Sequence, residues 1–328
     1  MDAGGTSTTA PPRSEVRPGA TVSRRAVVAG LFASAGLLAG CGLRLDLPQP
    51  APPTPTRQQV PDETLLVGFV RDLRDVVAVG EQLPKADQSR EQVKEALRVL
   101  RDQASVLTGR LTNEGVPMAA IDGGPPTSAA GSATSGPPSG LTRFRSALAL
   151  LPSDRWQSLA TASPTSRPVL LSATSARLAA AVRLGASVPI PQAGPQAVHK
   201  ALVERTAPLV YGFEVVAAQS DGAARKTALA TLDALRLLLA EVGPVVPGPA
   251  LPGGWQLPYA VTRPEAAARL AHDVLVRAID GTTTILPVSP PAPALAEVAA
   301  WSARVQALGA AHGIPLMAFP GTSGTARP

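Results

Sequence analysis

Large aromatic side chains are scarce in this 328-residue chain, which has five phenylalanines, three tryptophans and two tyrosines. Aromatic and β-branched residues are the ones that favour β-strands. Alanine, leucine, arginine and proline dominate the chain instead. We therefore predict an all-α fold.

Cysteine is almost absent, since Cys41 is the only one. A single cysteine excludes a disulfide framework and a zinc site built from thiolates. The chain also lacks the Gly-x-Ser-x-Gly turn of serine hydrolases, the phosphate-binding Gly-rich loop and the dinucleotide-binding fingerprint. The sequence therefore predicts a protein that is not an enzyme and that holds no cofactor.

Acidic residues are outnumbered by basic ones, with a formal net charge of +6 and an isoelectric point near 10.2. Nucleic-acid-binding proteins cluster such charge in runs or interleave it with aromatics, and neither pattern occurs here. We expect no nucleic-acid partner. The positive balance would suit a position near anionic envelope surfaces.

Residues 1–40 have the composition of an export signal, with Arg13, Arg17, Arg24 and Arg25 before an apolar run at 26–39. That run is shorter than the roughly 20 residues of a membrane span. The segment Leu38-Ala39-Gly40-Cys41 resembles the lipobox of bacterial lipoproteins, which implies cleavage after Gly40 and acylation of Cys41. The pair Arg24-Arg25 resembles a twin-arginine signal, and ordinary secretion remains open.

Composition divides the rest of the chain into two helical regions. Residues 41–60 are rich in proline, which predicts an extended tether between the membrane and the folded part. We predict an N-terminal helical region at 61–187 and a second region at 196–322, joined by a linker at 188–195. The insert at 122–140 has no large apolar residue and is predicted to be disordered.

Eight stretches carry apolar residues at helical spacing. They span 62–83, 89–111, 141–151, 166–184, 196–220, 223–242, 264–279 and 293–311. Asp62, Ser89 and Thr262 are the expected N-terminal caps. Helices with one apolar stripe and modest loops pack as antiparallel bundles. Whether the two regions form two bundles or one intertwined array stays open.

Motifs in the second region resemble an actinobacterial ferritin-like domain family of unknown function. They are Glu204, Leu209-Val-Tyr-Gly-Phe213, the run from Trp255 to Ala271, and Ala318-Phe-Pro-Gly321. The resemblance covers about 196–322 and implies a ferritin-like four-helix bundle, often on an exported or lipid-anchored protein. It implies no established activity.

The ligands of a ferritin-like di-metal site are incomplete in this region. Such sites need Glu-x-x-His on two helices, and no glutamate here is followed by histidine at that spacing. Glu204 matches the first-helix glutamate of the family and is the weak candidate. The second glutamate position falls near Val274 and Leu275. We expect no bound metal.

These features favour a lipid-anchored helical protein on the extracytoplasmic face of the cell membrane, acting as a non-catalytic binding or interaction module. One alternative is a metal-binding ferritin-like oxidoreductase or metal store. A second alternative is a carrier of an apolar ligand held between the two bundles, because clefts between helices are common ligand sites.

Overall fold

Helices account for nearly all regular structure in the computed structural model, which describes residues 57–123, 140–243, 254–287 and 289–322. The α-helices of this described part are α1 Glu63–Glu81, α2 Lys85–Gln88, α3 Glu91–Asn113, α4 Met118–Asp122, α5 Gly140–Ala149, α6 Ser153–Thr161, α7 Arg167–Arg183, α8 Gln196–Gln219, α9 Gly222–Val242, α10 Pro264–Asp280 and α11 Ala292–Gly309. No strand occurs in these ranges, so the all-α prediction is confirmed. None of the described helices combines the length and hydropathy needed to cross a membrane.

Every predicted helical stretch corresponds to a helix, and the short helices α2, α4 and α6 lie outside the eight stretches. The insert predicted at 122–140 is narrower than expected, because Asp122 ends α4 and Gly140 begins α5. Its remainder, 124–139, lies outside the described residues. Asp122 is held in place because its carboxylate accepts a 2.5 Å bond from Arg74 of α1.

Two helices are buried on all sides rather than along one stripe. Every residue of α7 from Leu170 to Ala181 is buried, and so is every residue of α11 from Glu297 to Ala303. The expectation of one apolar stripe per helix is wrong for both. Their other faces carry alanine, serine and threonine, which are small enough to be covered by neighbouring helices.

The linker at 188–195 does not separate two bundles. Helix α7, which precedes it, packs along α11, which follows it, and α7 also packs on α3 and α5. The described residues from Arg57 onward belong to one compact unit. The question that the sequence left open is therefore answered in favour of one intertwined array.

The three expected helix caps are wrong. Asp62 precedes α1 in a left-handed conformation (φ 61°), and its carboxylate accepts from the backbone N–H of Ser163 at 3.0 and 3.2 Å instead of capping the helix. Ser89 donates to the carbonyl of Ala86, and α3 begins only at Glu91. Thr262 lies one residue before the actual N-cap of α10, Arg263. Asp62 and Ser89 each had a competing tertiary or turn partner.

Arg177 of α7 has the bulkiest buried charged side chain among the described residues, and it contacts two other helices. Its guanidinium donates to the carbonyls of Ala147 at 2.6 Å, Leu148 at 3.1 Å and Leu150 at 3.1 Å, where α5 ends. It also pairs with Asp72 of α1. A positive charge at a helix C-terminus meets free carbonyls and the negative end of the dipole. Arg177 therefore caps α5 and neutralises Asp72 with one side chain.

Replacing Arg177 by methionine should lower the free energy of unfolding by about 3–5 kcal/mol, because it leaves a largely buried carboxylate and several carbonyls without a partner. Urea unfolding followed by circular dichroism measures the change. The control is Arg236→Met, since Arg236 is about half exposed and pairs with Glu214 on the surface. That variant should lose less than about 1 kcal/mol. Equal losses in the two variants would contradict the assigned role.

Candidate functional site

The residues of the predicted export signal lie outside the described part of the chain. These residues are Arg24, Arg25, Gly40 and Cys41. Export through Arg24 and Arg25, cleavage after Gly40 and acylation of Cys41 therefore stay predictions.

Glu204, the weak metal candidate, lies on the surface. Its side chain is 60% exposed on α8, with Oε1 3.8 Å from Nζ of Lys200 one turn earlier. Charged pairs at this spacing are ordinary features of a solvated helix face. Among the described residues, no group of three or more histidines, cysteines or acidic residues is arranged to hold a metal ion.

Hydrocarbon fills the space where the second glutamate of the family would lie. Leu275 is fully buried, and the methyl groups of Val274 lie 3.6–3.8 Å from where a Cβ on Gly212 of α8 would stand. Trp301 of α11 is also fully buried and donates from Nε1 to Oγ1 of Thr206 at 2.8 Å. The contact between α8, α10 and α11 is therefore packed and contains satisfied polar groups.

A carboxylate and an imidazole nevertheless meet inside the described body. Glu297 of α11 is fully buried, and its Oε2 lies 3.0 Å from Nε2 of His199 in the first turn of α8. Neither of these two atoms completes an aligned hydrogen bond. A buried carboxylate is costly unless it is paired, and the imidazole of His199 is the side chain that lies beside this one.

Gly194 of the linker lies directly against the Glu297 carboxylate of this buried pair. Its backbone N–H donates to Oε1 of Glu297, at 2.5 Å. A Cβ at Gly194 would stand 2.4 Å from Oε2 of Glu297, well inside the contact distance. Any larger residue here would force the buried Glu297 carboxylate to move.

The linker is held at a second point by Glu241, near the end of α9. The backbone N–H of Ile190 donates to Glu241 Oε1 at 2.8 Å, and Arg304 of α11 pairs with the other oxygen. Burial by itself would raise the pKa of Glu241. The bond from Ile190 and the pairing with Arg304 outweigh that effect, so the pKa lies below its ordinary value of 4.5.

The other two histidines have separate surroundings. Nε2 of His312 lies 2.9 Å from Oγ1 of Thr231 on α9. Burial lowers the pKa of His312. His272 is half exposed, with Nδ1 3.6 Å from Oδ1 of Asp273. The three histidines do not form one site.

Aromatic residues form a half-buried patch outside the packed interior. Trp255 and Tyr211 have ring centroids 5.7 Å apart, and Arg269 lies over the ring of Tyr259. The hydroxyl of Tyr259 donates to Asp273 at 3.0 Å. Burial, and then this bond, raise the pKa of Tyr259. The segment from 254 to 263, which carries the family resemblance, is thus a cover over α8 and α10.

Two open clefts occur on the surface, and each is lined by one half of the chain. One, of about 490 Å³, lies beside the start of α1 and is lined in part by Gln59, Glu63 and Arg155. The other, of about 600 Å³, lies beside the end of α10, where Arg205 and Asp280 contribute to its wall. Neither cleft lies between the two halves, where a carried apolar ligand was expected.

Comparison with known proteins gives no match. No family model, no curated protein and no solved structure is significantly similar to the chain.

Spacing arguments missed the pair of Glu297 and His199, because the two residues are far apart in the sequence and on different helices. One local signal was present. Glu297 is the only acidic residue in α11 and is surrounded by alanine and valine. A lone carboxylate on an apolar helix predicts a buried polar partner.

Replacing Gly194 by alanine should lower the free energy of unfolding by about 1–3 kcal/mol, because the added methyl collides with the Glu297 carboxylate. Chemical denaturation measures the loss. Gly109→Ala is the matched control, since nothing lies within 4 Å of a Cβ there. Gly109 is inside α3, so that variant should gain about 0.5–1 kcal/mol. The same sign of change in both variants would refute the close approach.

Stability should depend on pH through Glu241, because its folded-state pKa is below the ordinary value of 4.5. A depressed carboxyl pKa contributes stability above the unfolded value, and that contribution disappears as the pH falls through the folded pKa. The difference in unfolding free energy between wild type and Glu241→Gln should therefore shrink below about pH 4.5.

Urea titrations across this pH range measure the difference, with Glu204→Gln as control because its side chain is 60% exposed. The control should follow wild type throughout. A Glu241→Gln difference that stays constant with pH would show that this carboxylate does not hold the linker.

Proposed function

We propose that this protein is an exported lipoprotein of the cell envelope. The observation that carries the proposal is the segment Leu38-Ala39-Gly40-Cys41 after an arginine-containing apolar signal. Cleavage after Gly40 would leave Cys41 as an acylated N-terminus on the extracytoplasmic face of the cell membrane. One acyl chain gives only marginal membrane binding, so the two or three chains of a lipoprotein cysteine would make the anchor stable.

The helical body acts as a non-catalytic binding or interaction module. Its packing supports this role, since Trp301, Leu275 and Val274 fill the helix contacts at which a ferritin-like metal site would lie. The half-buried Glu241 and the fully buried Glu297 bond to backbone N–H groups of the linker. Such residues serve the fold and leave the surface for recognition.

The C-terminal half corresponds to a ferritin-like four-helix bundle. In support, α8 packs against α9, α10 and α11, and α10 packs against α11. Helix α7 lies along α11 and would connect this bundle to the helices of the first half.

One observation favours the metal-binding alternative, namely that Glu297 and His199 meet within the interior at 3.0 Å. Elemental analysis of the purified protein distinguishes the two functions. Iron or manganese near one atom per chain, lost in Glu297→Gln, would establish the alternative in place of the interaction module.

Replacing Cys41 by alanine should move the protein from the membrane fraction to the soluble fraction of the host, because the acyl acceptor is lost. Fractionation followed by immunoblotting measures the distribution. Serine replacement of an exposed residue of the body, such as Val106 at 49% exposure, should leave the protein in the membrane fraction. Full retention of the Cys41→Ala variant would exclude the lipid anchor.

A further inference from the structure

The residues after α11 run across other helices, with an irregular stretch at 314–317 followed by bends and turns at 318–321. We call residues 313–322 the C-terminal strap. Its backbone makes few bonds to other backbone groups, and the ones it makes are at its two ends: Gly313 N–H to Ala310, Ile314 N–H to Gly309, and Thr322 N–H to Phe319. The middle of the strap therefore depends on side chains for its backbone hydrogen bonds.

Four side chains of α3 and α7 bond to the backbone of the strap at every second residue. Glu95 accepts from the N–H of Leu316 at 2.7 Å, and Arg98 donates to the carbonyl of Leu316 at 2.6 Å. Gln103 donates to the carbonyl of Ala318 at 2.7 Å, and Ser172 donates to that of Pro320 at 2.5 Å. These hydrogen bonds are made to backbone atoms, so they do not depend on which side chains the strap carries.

Apolar contacts add a preference for side chains at alternating positions. Ile314 is 5% exposed and Leu316 is 2% exposed, whereas Pro315 between them is exposed. Main-chain bonds with pockets for alternate side chains are how proteins bind extended peptides.

The bonding groups of α3 and α7 are held in place by contacts other than the strap. Glu95 pairs with Arg183 at the end of α7. Gln103 is fully buried and also donates to the carbonyl of Ala173, at 2.9 Å. A groove whose groups are already oriented binds a peptide without the cost of ordering them.

Gly313 is a hinge at which the strap could leave this groove. Its φ of 75° lies in the left-handed region, and nothing lies within 4 Å of a Cβ at this position. Glycine adopts this conformation and others at little cost. Rotation there would release the strap at the cost of the Ile314 bond to Gly309, the last residue of α11.

We propose that the groove between α3 and α7 is a peptide-binding site that the strap occupies in the free protein. Its ligand is an extended segment of a partner protein with apolar residues at alternating positions, and the strap competes with that segment. The inference names the partner class of the proposed interaction module and does not depend on the lipid anchor.

The test uses the full chain and a fluorescent peptide of the strap sequence, Gly-Ile-Pro-Leu-Met-Ala-Phe-Pro-Gly-Thr. Leu316→Asp removes the main apolar anchor of the strap and should vacate the groove. Because apparent affinity scales with the fraction of open groove, this variant should bind the peptide at least about tenfold more tightly than wild type. Leu229→Asp changes a leucine that is 43% exposed elsewhere and should bind like wild type.

Two further changes show that the peptide enters the assigned groove. Adding Gln103→Ala to Leu316→Asp should weaken peptide binding by about fivefold, the effect of one lost hydrogen bond. A peptide with aspartate in place of its leucine should not bind. Equal binding by wild type and Leu316→Asp, or binding that ignores these changes, would overturn the proposal.

Hydrogen exchange of the wild-type chain covers the case in which Leu316→Asp does not fold. The amide of Leu316 should exchange at least about tenfold faster than amides in the middle of α7, since the strap opens locally. Exchange of both amides only at the global unfolding rate would overturn the proposal.

Dimers that exchange straps, seen by sedimentation velocity, would also overturn it, because the occupant would then be a second copy. Each of these failures leaves the Cys41 proposal standing.

Discussion

Close contact between α7 and α11 is the constraint on which the rest of the described structure depends. Both helices are enclosed by neighbours, so their side chains must be small or internally satisfied. Thr174 and Ser175 meet this requirement by donating to carbonyls one turn earlier in α7, at 2.7 and 2.9 Å. Hydroxyls that bond to their own helix can be buried without a partner from another element.

A second constraint comes from the extended segments that pass over these helices. Their N–H and C=O groups lie away from any sheet and need partners. The chain supplies them from buried and partly buried side chains: Glu241 and Glu297 for the linker, and Glu95, Gln103 and Ser172 for the strap. Several buried polar residues that could be mistaken for an active site are therefore bound to the chain's own backbone.

Helix positions were predictable because apolar periodicity is a local property of the sequence. The helix faces were predicted less well. Leu229 belongs to the apolar pattern of the stretch at 223–242 and yet is 43% exposed, because α9 packs mainly on α8 and leaves its other side to solvent. Glu204 was the metal candidate because of its position in a motif, whereas Glu297 was recognised only because the structure shows that it is buried. The ferritin-like relationship and the lipid anchor remain predictions.

The sequence alone determined the helical class, the approximate helix bounds and the predicted export signal, because each depends on residues that are neighbours in the chain. Only the tertiary structure decided that both halves form one array, that Glu297 meets His199, and that α3 and α7 hold the strap. Those outcomes depend on contacts between residues up to about two hundred positions apart, such as Arg98 and Leu316. Local pattern contains no information about which distant helix will cover a given face.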